Sequence, residues 1–149
     1  MLSAKPDSGE REILPLVAEE NVEIVRRIRE AVQRRDSEAL LAFYDPEIVL
    51  EIRYGPIDLH GLYHGHDGVR RWFREWRAPF SDYDEEAEDY IDAADSVIVC
   101  FRVRGCGKAS GVSVDTSGCQ VYVIQNGRVI RMQIFETKAE ALAAAGLQE

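Results

Sequence analysis

The sequence predicts an α+β domain in which helices come first and a curved antiparallel sheet follows, and three observations carry that reading. Apolar residues recur at helical spacing near the N-terminus, at Val22, Val25, Ile28, Ala31 and Val32. Strand-like alternation fills most of the second half of the chain. Asn126-Gly127, set between two apolar runs, marks a tight hairpin, because a type I′ turn needs positive φ at both central positions. Helical and strand patterns are segregated rather than alternating, which favours α+β over a wound parallel sheet.

Residues 1–19, with Pro6, Pro15 and unpatterned charges, are expected to be a flexible tail, and residues 20–149 a single domain. Asn21 is a suitable N-cap for the first helix, which runs to Arg35. Asp36 or Ser37 then caps a shorter helix carrying Leu40, Leu41, Phe43 and Tyr44, stopped at Asp45-Pro46. From Ile48 to Tyr54 the residues alternate as a half-buried strand. Ile57 to Gly68 is a glycine-rich loop holding all three histidines, and Val69, Trp72, Phe73 and Trp76 give the next segment a broad apolar helical face. Four strands follow as a meander, about Tyr83–Ile91, Ser96–Arg104 and the two arms of the hairpin from Ser113 to Thr137. In the last arm Val129, Arg131, Gln133 and Phe135 are expected on one face and Ile130, Met132 and Ile134 on the inner one. A short alanine-rich helix, Lys138 to Ala145, closes the chain at Gly146.

At 149 residues this is the size of one domain, and 46% hydrophobic with 30% charged residues is an ordinary soluble composition. A formal charge of −9 argues against a nucleic-acid partner, which calls for a basic stripe. No apolar run approaches the roughly 18 residues of a membrane helix, and the first residues show no apolar leader, so neither a membrane nor a targeting segment is expected. Cys100, Cys106 and Cys119 are an odd set without metal-ligand spacing and read as reduced thiols of a cytoplasmic protein.

The element order, together with ENVEIVRRIREAVQRRDSEALLAFYDPEI, YHGHDGVRRWFREW and NGRVIRMQIFETKAEAL, resembles the SnoaL-like branch of the nuclear transport factor 2-like superfamily over about residues 20–146. That resemblance implies a cone-shaped α+β fold, a curved antiparallel sheet wrapped by three N-terminal helices, and the homodimer common in the superfamily. It leaves function open, because relatives include isomerases, dehydratases, cyclases, epoxide hydrolases and non-catalytic binders. The acidic and tyrosyl groups of ketosteroid isomerase correspond by position to Ile28, Ile52 and Cys119 here, and the last-strand base of the polyketide cyclases falls at Gln133, Ile134 and Phe135, ahead of Glu136. An epoxide hydrolase's Arg-x-Asp strand pattern is matched only by Arg102-Val-Arg104, and the histidines lie together rather than on separate elements. No known site of the superfamily is carried over intact.

Two functional readings remain, an enzyme (cyclase, isomerase or hydrolase) acting on an apolar cyclic substrate, and a binding or accessory protein of the same fold. The expected pocket lies between the third helix and the concave sheet, walled by Leu50, Ile52, Trp72, Trp76, Val99, Phe101 and Val121, with Tyr63 at its rim. A largely aliphatic and aromatic interior suits a flat apolar ligand. Acid–base candidates are Asp58, His60 and His64, because imidazole titrates near neutrality and a carboxylate can orient it, together with Tyr54 and Asp115. Asp58, His60, His64 and His66 also form a loose ligand-like spacing, read as a solvated loop, and no metal or cofactor is expected. A homodimer through the outer sheet face is expected from the half-apolar row of Arg131, Gln133 and Phe135 beside Tyr122.

Overall fold

The computed structural model describes residues 8–147, with side chains from Glu19 onward. Helix α1 spans Ser8–Arg34 and so begins well before Asn21. Residues 1–7 of the expected tail lie outside the described residues, and the rest of that tail is helix. Its leucine, alanine, glutamate and arginine favour the helix, and Pro15 removes only one intrahelical bond. Val25, Ile28 and Val32 bury one face of α1, and Arg35 at φ 60° turns the chain out. Helix α2, Ser37–Leu41, is capped by Asp36, whose side chain accepts from the Ala39 N–H at 3.1 Å.

Strand β1 (Tyr44–Arg53) leads through a 3₁₀ turn (Ile57–Leu59) to the short β2 (Gly61–His64), so the histidine loop is partly a strand. Helix α3 covers Gly65–Arg77, and the meander is β3 (Phe80–Ala93), β4 (Ser96–Gly107), β5 (Ser113–Gln125) and β6 (Arg128–Phe135). The six strands form one curved sheet in the order β2-β1-β6-β5-β4-β3. It is mixed rather than wholly antiparallel, because β1 pairs parallel with β6. The 3₁₀ turn, β2, α3 and three strands of the meander separate those two in sequence, so no hairpin fixes their relative direction. The fold is α+β, with α1, α2 and α3 against the concave face.

A bulge in β6 decides which side chains reach the interior. Ile124 pairs with Val129 but Val123 pairs with Arg131, which leaves Ile130 unopposed. One inserted residue reverses the facing of the residues beyond it, so Val129, Met132 and Ile134 all point inward, and Val129 is not on the outer face. Opposite them on β5, Gln120, Tyr122 and Ile124 face in while Val121 faces out.

The outer face has its own small core. Helix α4 (Lys138–Ala144), closed by a Thr137/Glu140 capping box, lays Ala141 and Leu142 over Ile98, Cys119, Val121 and Phe135. Beneath it Cys100 and Cys119 face each other across β4 and β5, Cα atoms 4.1 Å apart, and form a disulfide. The reduced-thiol reading holds only for Cys106. Direct opposition in the β4/β5 register brings the two sulfurs together, something spacing in sequence does not reveal. Among the described residues no helix is long and apolar enough to cross a membrane.

Candidate functional site

The third turn of the apolar stripe on α1 puts a charge where the pattern calls for an apolar residue. Arg29 follows Val25 by four residues and precedes Val32 by three, so it lies on the buried stripe, and it is only 3% exposed. Across from it the acidic run of β3 turns Glu85 inward, 9% exposed, between outward Asp84 and Glu86. Arg29 Nη1 and Glu85 Oε1 are 2.6 Å apart. The same Nη1 donates to Gln120 Oε1 at 3.1 Å, which also accepts from the Tyr122 hydroxyl at 2.8 Å.

The other carboxylate oxygen of Glu85 accepts from the Tyr83 hydroxyl, and that hydroxyl accepts from the Trp76 indole N–H at 2.5 Å. A polar chain thus runs from α3 through β3 to α1, all of it inside the sheet's concave face. Burial works against the Arg29 charge, but Glu85 and its hydrogen bonds outweigh it and hold the guanidinium firmly protonated. Burial pushes the Tyr122 phenol up to about 12 and raises that of Tyr83, which the Glu85 charge raises further.

Aromatic residues roof this floor. Trp72 and Trp76, one turn apart on α3, stack with centroids 5.1 Å apart, and Tyr54 meets Trp76 at 5.6 Å and Phe101 at 5.7 Å. Two glycines permit the approach. At Gly55, φ 82°, an added Cβ would overlap the Trp76 ring, and at Gly118 it would sit 3.0 Å from both Tyr54 and Phe101.

A cleft is lined by the polar group of Arg29, Glu85, Gln120 and Tyr122 and by the aromatic group of Tyr54, Trp72, Phe73, Trp76 and Phe101, with Arg77 beside them. The space open to water is about 30 Å³. A site needs roughly 10–15 Å³ to hold one water, so the cleft admits at least a small polar group. Among the described residues, Arg29 Nε and Nη2, Tyr54 Oη and Arg77 Nε are buried without a hydrogen-bond partner. Burial raises the Tyr54 phenol.

Of the expected wall residues, Trp72, Trp76 and Phe101 line this cleft, and Tyr54, expected as an acid–base group, joins them. Phe73, expected on the same apolar helical face, is also a wall. Leu50, Ile52 and Val99 are fully packed core beneath it, and Val121 lies on the opposite face of the sheet. Tyr63 packs on the Trp72 ring from outside the cleft and donates to Leu59 O at 3.0 Å.

The other expected acid–base residues are elsewhere. Asp58 is exposed, His60 contacts Gly55 O at 3.0 Å, and His64 is exposed beside Glu47 at 3.2 Å. His66 contacts Tyr44 O at 2.9 Å and so ties the start of α3 to β1. Asp115 is exposed and gripped by Arg102 through two 2.7 Å bonds, which hold its carboxyl below the usual range. The histidine segment departs along β2 at the sheet edge, which carries these side chains away from the concave interior. Arg29, Glu85 and Gln120 escape a reading of the sequence because polar residues in charged or mixed runs look solvated. For Arg29 the helical spacing itself holds the signal.

The outer face also differs from expectation. Tyr122 is buried inside and Phe135 is covered by α4, while Glu51 gathers Arg131, Gln133 at 3.0 Å and Arg53 at 2.6 Å.

The SnoaL-like domain family matches residues 25–132. A nuclear transport factor 2-like protein from Burkholderia thailandensis is 25% identical, with a TM-score of 0.72 over 85% of this chain and 96% of that one. A nuclear transport factor 2-like protein of unknown function from Burkholderia pseudomallei is also 25% identical, TM-score 0.71, over 83% and 95%. TerC, crystallised with polyporic acid, shares the fold at 17% identity and a TM-score of 0.68 over 85% and 98%. Among proteins of curated function the sequence has no match.

Proposed function

The chain belongs to the SnoaL-like domain family, and from that premise we propose that it is a small-molecule-pocket protein whose ligand enters the cleft between α1, α3 and the concave sheet. One observation carries this reading: a buried arginine lining the cleft keeps two donor nitrogens without partners. A buried donor left unmade costs about 1–3 kcal/mol, and a ligand oxygen would remove that cost. The aromatic walls suit a ring or other flat apolar body, and the co-crystal of TerC supports small-molecule binding in this fold.

Binding takes precedence over catalysis here. Among the described residues Glu85 is the single carboxylate lining the cleft, and both of its oxygens are already engaged, by Arg29 and by Tyr83. The second reading, an isomerase-like or cyclase-like proton transfer, rests on that same carboxylate standing at the end of the Trp76–Tyr83 chain, with Arg29 and Tyr54 as donors to an oxyanion. Native mass spectrometry of protein purified from its own host tests the common premise. A retained small molecule, lost in a Trp76→Ala variant that still folds, is expected; ligand retained at unchanged occupancy by that variant would place binding elsewhere.

The homodimer through the outer sheet face forms part of the proposal in a narrower form, centred on the Glu51, Arg53, Arg131 and Gln133 network that α4 leaves uncovered. Sedimentation at a mass of 16.9 kDa would refute it.

A further inference from the structure

We propose that the ligand of the cleft is a carboxylate, its two oxygens held side-on by the Nε–H and Nη2–H edge of Arg29. This rests on the cleft being the ligand site and goes beyond it by naming the head group. Nη1 faces Glu85 and Gln120, so one edge of the guanidinium is fully used by the protein. Nε and Nη2 form the other edge, a planar pair of parallel donors, and both lack partners among the described residues. Parallel N–H donors on one edge of an arginine match the two oxygens of a carboxylate, and a lone hydroxyl or carbonyl uses only one of them.

Size and charge agree. The cleft exceeds the roughly 10–15 Å³ that one water needs, so it admits a small polar head group beside the aromatic walls. Two arginines, Arg29 and Arg77, face one carboxylate, Glu85, around the cleft, so a protein with a formal charge of −9 presents a net positive interior there. Three of the four unpartnered atoms in the cleft, Arg29 Nε and Nη2 and Arg77 Nε, are donors only, and the fourth is the Tyr54 hydroxyl, able to donate as well. An acceptor-only head group satisfies them; an ammonium or an amide N–H does not.

The test compares benzoate with benzamide, equal in shape and different in charge, by calorimetric titration of the intact protein. Benzoate should bind at least about tenfold more tightly, as befits replacing a neutral hydrogen bond by a charge-assisted pair. Arg29→Lys keeps the positive charge beside Glu85 but removes the planar edge, and it should erase most of that preference while leaving the circular dichroism unchanged. Equal affinity of the two probes would overturn the carboxylate assignment and leave the cleft as a binding site. A preference kept in full by a folded Arg29→Lys would overturn the role of Arg29. Failure of both probes to bind would remove the cleft reading together with this one. Should the lysine variant not fold, the wild-type comparison still decides the question.

Discussion

Replacing Arg29 by methionine should destabilise the protein by about 3–5 kcal/mol, the cost of leaving one member of a buried ion pair uncompensated. That magnitude applies because both partners are buried, Arg29 at 3% and Glu85 at 9% exposed, and their 2.6 Å contact is screened little by solvent. Gln120 loses a donor as well but keeps the Tyr122 hydroxyl, so its contribution is small. For a chain of 149 residues, at about 2–4 °C per kcal/mol, the melting temperature should fall by roughly 6–20 °C. Urea denaturation of wild type, Arg29→Met, Glu85→Leu and the double variant closes a cycle. The double variant should recover most of the loss, because an apolar pair of similar volume avoids desolvating two charges. A single-variant loss below about 1 kcal/mol, or a double variant as unstable as the two singles combined, would refute the coupling of the pair as one buried unit.

Other consequences can be checked separately. The Tyr122 phenol is pushed up by burial to about 12 against about 10 unfolded, so its share of stability, roughly 3 kcal/mol at most, is intact below pH about 10 and disappears as pH rises through about 12. Melting curves in alkaline buffers should show this limb flattened in Tyr122→Phe, and an identical limb in that variant would contradict it. Gly55→Ala should cost about 1–2 kcal/mol for the positive φ alone and more for the contact with the Trp76 ring, measured by denaturant unfolding; a neutral effect would mean that α3 is free to shift. Unfolding without reductant should expose one reactive thiol, Cys106, and reduction three, with a loss near 3 kcal/mol for a bridge spanning 19 residues. Three reactive thiols before reduction would remove the disulfide.

Much of the architecture is legible in the sequence because helical and strand periodicities are strong and Asn126-Gly127 fixes the last hairpin. What fails is facing. Counting outward from a two-residue turn places Val121 opposite Met132, and only the unopposed Ile130 moves Tyr122 into that position. A bulge of one residue leaves no mark on hydrophobic alternation when the inserted residue is itself apolar. The site is hidden for a related reason. Glu85 sits among carboxylates that are exposed, and only pairing with Arg29, distant in the chain and absent from any local pattern, makes it part of an interior. The histidines stand out by composition, yet only His64 is on the edge strand β2, with His60 just before it and His66 in the first turn of α3, and they serve backbone carbonyls and a surface glutamate.

The central claim is that ligand chemistry belongs to the cleft roofed by α3, and tryptophan fluorescence tests it directly. The chain has two tryptophans, Trp72 and Trp76, and both line that cleft. Titration with benzoate should change the emission along a saturable curve whose midpoint equals the calorimetric dissociation constant. Binding seen by calorimetry with emission unchanged through saturation would put the ligand somewhere else and contradict the account.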